Sequence, residues 1–151
     1  ISEEQVEFIR ETFSRTDPNA VRVLVTHHPL LAIPVGEGVE RAVGRQELAL
    51  DAVEKAGVDL LLAGHAHHAS THHASDLVTR AGGALVVQAG TATSTRVREQ
   101  EQSFNTIDIA DGCLTITVNT WKDDDFTPSD AQRYEWQEGR WRILKSAEPA
   151  H

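Results

Sequence analysis

Two short apolar runs, each ending in histidine, constrain this chain more than any other feature. Residues 21–26 read Val-Arg-Val-Leu-Val-Thr and lead into His27-His28-Pro29; residues 58–63 read Val-Asp-Leu-Leu-Leu-Ala and lead into Gly64-His65-Ala66-His67. Leucine-rich or β-branched runs of this length, bounded by Gly and Pro, predict buried strands. Between them, residues 44–56 carry a helical pattern closed by Gly57. Strand, helix, strand is a βαβ unit, and a crossover of that kind leaves its strands parallel. Parallel strands end on the same side of their sheet. His27, His65 and His67 are thereby predicted at one carboxyl edge, where open α/β sheets hold their ligands. Neutral imidazole is a common ligand for borderline transition metals, so this convergence points to a metal site. In Gly-His-Ala-His the two imidazoles lie two residues apart on an extended segment and can face one way, while Gly64 lets the backbone approach closely.

The remaining elements flank that unit. Ser2 is a good N-cap with Gln5 as its capping-box partner, and Val6, Ile9 and Phe13 form the apolar stripe of an opening helix. Asp17-Pro18-Asn19 ends it. Residues 29–38, with two prolines and two glycines, predict a loop just after His27-His28, a plain connection or the border of a substrate entrance. Beyond His67 the period changes: residues 84–89, 104–110 and 114–121 predict strands, the last two joined by a hairpin at Asp111-Gly112. Residues 133–144 alternate Tyr134, Trp136, Trp141 and Ile143 about a Glu138-Gly139 turn, again a hairpin, and the acidic stretch 123–130 predicts a surface loop. The fold class is therefore α/β, a βαβ front half followed by antiparallel strands.

Composition narrows the function. With 151 residues, 40% of them hydrophobic and 25% charged, the chain is long enough for one domain with a real core. A formal net charge of −9 argues against a nucleic-acid or anionic-membrane surface, both of which call for Lys/Arg excess. No apolar stretch is long enough to span a bilayer. The single cysteine, Cys113, rules out an intrachain disulfide and fits a reducing, cytoplasmic setting. The chain starts at Ile1, contains no Met and opens directly on a helix signal, which predicts a piece of a longer protein.

Thr-His-His-Pro after one apolar strand, Ala-Gly-His-Ala-His after the next, and the stretch Val87-Gln88-Ala89-Gly90-Thr91-Ala92-Thr93-Ser94-Thr95-Arg96 together resemble the calcineurin-like metallophosphoesterases. The resemblance covers roughly residues 1–120. It implies an α/β/β/α sandwich of two mixed sheets, of which residues 1–151 are the C-terminal portion of a single domain. Two divalent or mixed-valence metals (Mn, Fe or Zn) are implied at the strand ends, with His27 and His65 on one and His67 on the other. The implied chemistry is phosphate-ester hydrolysis on a small molecule, of the cyclic-nucleotide phosphodiesterase kind. Paired metals activate the attacking water and clamp the phosphoryl oxygens, so no side chain of this half is assigned as catalytic. The family's Asp-x-His, Gly-Asp-x-x-Asp and Gly-Asn-His motifs are absent from these residues. The expected partner is accordingly the N-terminal half of the domain, and the 151 residues alone are expected to be inactive.

His28 and Arg96 are candidates for substrate contact; Arg is suited to clamping phosphate oxygens. For Arg96 and Arg98 the alternative is pairing with Glu99 or Glu101. His68, His72 and His73 are read as exposed loop residues, with a substrate or supporting role as the alternative. Trp121, Trp136 and Trp141 alternate with polar residues, which favours sheet packing over base stacking. The competing functional reading is a non-catalytic metal- or partner-binding fragment. A nuclease of the same family is a third, disfavoured by the acidic balance.

Overall fold

The computed structural model describes residues 1–35, 38–40, 42–73, 83–93, 101–129 and 131–144. Helix α1 (Glu3–Ser14) opens on the capping box: the Gln5 amide donates to Ser2 Oγ at 3.1 Å, and the Ser2 amide donates to Gln5 Oε1 at 2.9 Å. Val6 and Ile9 are its buried positions. Strand β1 (Val23–Thr26) follows, then a two-stranded ribbon of β2 (Ile33–Val35) and β3 (Gly38–Glu40), then α2 (Gln46–Ala56). The predicted loop over 29–38 is thus partly a ribbon, and its stem is hydrophobic: Leu30, Leu31 and Ile33 are buried in the core. Helix α2 starts two residues later than the pattern suggested because Arg45 is left-handed (φ 63°); Gly57 (φ 62°) closes it as expected.

β4 (Leu60–Ala63), β5 (Ser70–His73) and β6 (Leu85–Gln88) complete the first sheet, in the order β1-β4-β6-β5. β1, β4 and β6 run parallel, with Thr26 beside Ala63 and Ala63 beside Gln88, so three chain exits share one edge. β5 is antiparallel to β6. The second sheet holds β7 (Ser103–Ala110), β8 (Cys113–Lys122), β9 (Asp125–Pro128), β10 (Gln132–Gln137) and β11 (Arg140–Leu144), ordered β11-β10-β8-β7. β8 is long enough to pair β10 with residues 113–116 and β9 with residues 119–122 along the same edge.

The period-2 alternation of the parallel strands divides the core. Leu61 and Val86 face the helical side, among Ala49, Leu50 and Val53 of α2. Leu60, Leu85 and Val87 face the second sheet, among Leu114, Ile116, Tyr134 and Trp141. A strand buried on both faces needs the unbroken apolar runs that the sequence shows. The protein is mixed α/β, and its described residues form helix, sheet and sheet layers.

Two sequence expectations are corrected. Residues 125–128 form β9 rather than surface loop, turned back by Asp123 and Asp124, both left-handed (φ 49° and 64°). Such a pair of residues makes the tight hairpin turn, which Asp tolerates better than most residues. Residues 70–73 form β5 rather than a histidine-rich loop, because the free edge of β6 pairs with them.

At the opposite edge from the histidines, the Arg22 amide donates to Asp59 Oδ2 at 2.7 Å. Burial pushes the Asp59 carboxyl above its ordinary 3.8, partly offset by Arg22. A group whose pKa rises on folding contributes stability below its unfolded value and loses it as pH climbs through the folded one. Asp59→Asn keeps an acceptor without the charge. It is expected to melt slightly higher than the parent at pH 7, the gap closing near pH 4; a variant less stable at pH 7 would contradict this.

Candidate metal centre

His27 follows β1 directly and Gly64 follows β4, so the register that pairs Thr26 with Ala63 also sets His27 beside the Gly-His-Ala-His turn. The Gly64 amide extends the ladder by one bond, donating to the His27 carbonyl at 3.2 Å. Beyond it the chain bends sharply. The Ala66 amide donates to the Gly64 carbonyl at 2.8 Å, and His65 and His67 are both left-handed, with φ of 68° and 56°. The strain falls on the histidines themselves, at roughly 1 kcal/mol or more each for a residue carrying a Cβ. Left-handed backbone at two candidate ligands is the kind of outlier that clusters at functional sites.

The imidazoles of His27, His28 and His65 converge, with one ring nitrogen of each lying within 4.8 Å of the others, all three exposed. His27 Nε2 and His65 Nδ1 are 3.2 Å apart. The His28 ring centroid lies 4.0 Å from that of His65 and 4.8 Å from that of His27. Two nitrogens at the usual 2.0–2.1 Å from one ion would stand this far apart at an angle of roughly 100°, close to tetrahedral. The donor set therefore fits a transition metal of the zinc type. At least one of the two facing nitrogens must carry a lone pair for the rings to approach so closely, which holds for neutral imidazole.

Of the residues predicted from sequence, His27 and His65 come together. His28, read from the sequence as a candidate for substrate contact, joins them as the third converging nitrogen. His67 lies outside this group, half-buried, with its Nδ1 buried and without a hydrogen-bond partner among the described residues. His68 and His72 are half-buried rather than exposed, His72 on β5. Arg96 and Arg98 lie outside the described residues, as does the side chain of His73. Among the described residues no carboxylate joins the converging group.

The residue that sequence reasoning missed is Gln88. It is 0% exposed at the end of β6, and its Nε2 donates to the Gly64 carbonyl. A lone amide closing the apolar run Leu85-Val86-Val87 was the available signal.

No protein-family model matches the chain, and no curated protein matches it. Among solved structures it is similar to three of Vps29 from Entamoeba histolytica. A double mutant and a single mutant are each 26% identical, with TM-score 0.40 and coverage of 62% of this chain and 48% of theirs. The wild type complexed with zinc is 24% identical, with TM-score 0.39 and coverage of 61% and 47%. The chain spans about half the length of these structures.

Proposed function

We propose that this chain supplies the histidine half of a binuclear metallophosphoesterase of the calcineurin-like kind, hydrolysing a phosphate ester, with a phosphodiester the favoured substrate. The observation that carries the reading is the 3.2 Å approach of His27 Nε2 to His65 Nδ1 at the ends of adjacent parallel strands. The order of motifs, His-His-Pro and then Gly-His-Ala-His, supports it. His27 and His65 would hold one metal and His67 the second, with His28 as a further donor to the first or a contact for substrate. When bound, two such metals supply Lewis acidity and an activated water. The chain's own part is to hold neutral imidazoles at the sheet edge and to present His28 beside them. Carboxylates able to hold two cations together would come from the other half of the domain.

The absence of a carboxylate from the converging group, among the described residues, favours a second reading: a metal-binding module without catalysis. Chelator-treated full-length protein, re-metallated with Mn²⁺ or Zn²⁺ and assayed on bis-p-nitrophenyl phosphate, separates the two. Hydrolysis lost on chelation and restored by metal is the expected result. Metal bound without turnover would leave the second reading; no metal bound would overturn both.

A further inference from the structure

A string of amide hydrogen bonds runs from the Gly-His-Ala-His turn into the second sheet. Gln88 Nε2 donates to the Gly64 carbonyl, and Asn105 Nδ2, on β7, donates to the Gln88 carbonyl at 3.1 Å. Immediately beyond Gln88 the two sheets are stitched again. The Ser103 amide donates to the Thr91 carbonyl at 2.8 Å, and a Cβ on Gly90 would lie 2.2 Å from Ser103 Oγ. The Gly64 carbonyl thereby accepts two bonds, one from its own turn through Ala66 and one from across the sheet through Gln88.

Packing does not ask for these amides. Gln88 Oε1 and Asn105 Oδ1 are buried with no hydrogen-bond partner among the described residues, at a cost of roughly 1–3 kcal/mol for each such atom. Leucine at position 88 would continue the apolar run without that penalty. What leucine could not do is hold the carbonyl one residue before His65, where the backbone turns left-handed.

We infer that Gln88 is a positioning residue for the histidine cluster. Its carboxamide fixes the Gly64 peptide, and so the direction in which His65 leaves the strand, and Asn105 holds Gln88 in turn. This rests on the metal reading of the cluster. Hydrogen-bonded partners that orient metal ligands typically contribute 10- to 100-fold in affinity.

The test is Co²⁺ titration of the full-length protein, followed by its visible d–d absorption, for the parent, Gln88→Met and Asn105→Leu. Methionine keeps the length of the side chain but donates nothing. Gln88→Met is expected to weaken Co²⁺ binding by roughly ten-fold or more and to alter the band shape, which reports ligand geometry. Asn105→Leu is expected to change both in the same direction, less strongly. A folded Gln88→Met protein with parental affinity and spectrum would overturn the inference and leave the metal reading standing. Should Gln88→Met fail to fold, unchanged binding in Asn105→Leu would overturn it instead. A parent protein that binds no Co²⁺ would overturn the metal reading, and this inference with it.

Discussion

Full-length protein carrying His65→Ala is expected to lose the proposed metal-dependent hydrolysis of a phosphate ester, by at least the 10²-fold or so that separates an assembled metal site from a broken one. His65 is the hub of the converging group: its Nδ1 is 3.2 Å from His27 Nε2, and its ring centroid is 4.0 Å from that of His28. Alanine leaves one imidazole without the nitrogen it faces. His67→Ala is expected to abolish that turnover as well, through the second metal of the proposed pair. Neither change should unfold the protein, because His65 is exposed and His67 half-buried, and neither belongs to the buried core. Circular dichroism should superimpose on the parent while turnover disappears. Parental activity in both variants would sink the proposed function.

The largest expected effect on stability lies at the opposite end of the sheet. Gly83, just before β6, sits under the β10–β11 turn, where an added Cβ would lie 1.9 Å from the Gly139 carbonyl oxygen and 2.8 Å from Arg140 Cα. Both are backbone atoms of a turn fixed by left-handed Glu138 (φ 51°) and Gly139 (φ 78°), so no side chain can swing aside. Overpacking of this kind costs about 3 kcal/mol, and for a chain of this size that is a fall of about 6–12 °C in Tm. Gly83→Ala should show it in a thermal melt. Gly44→Ala, with nothing within 4 Å of its added Cβ, is the control and should melt with the parent. Equal melting of the two variants would mean that the second sheet shifts freely over the first.

How much of this was legible in the residues depends on the element. The parallel strands could be read because strands buried on both faces must be continuously apolar, and 60–63 and 84–87 are. The hairpins at Asp111-Gly112 and Glu138-Gly139 could be read because a glycine takes the second of the two left-handed positions in each turn (φ 72° and 78°). β9 escaped because Asp123 and Asp124 make the same turn without glycine, and β5 because Ser-Thr-His-His has no apolar alternation. An edge strand takes its structure from its neighbour's unpaired amides rather than from its own side chains. At the site, His27 and His65 were legible from the parallel rule alone. The approach of His28 was not, since it depends on how the chain bends after Thr26, and no periodicity records that. Gln88 was hidden for the opposite reason: a single polar residue in a strand reads as an end to burial, whereas here it is fully buried.

The amide of Val43 donates to the Pro29 carbonyl at 3.0 Å, closing a neck below the β2–β3 ribbon. Leu30, Leu31 and Ile33 above that neck belong to the core, but the spacing of His27 and His65 is set by Thr26 against Ala63. Since the entropy of closing a loop grows only slowly with its length, descendants of this chain could lengthen or shorten the link between β2 and β3 and keep the histidines in register. The scaffold thus separates two things: an anchor at the strand ends set by register, and a connection between β1 and α2 whose length that register does not fix.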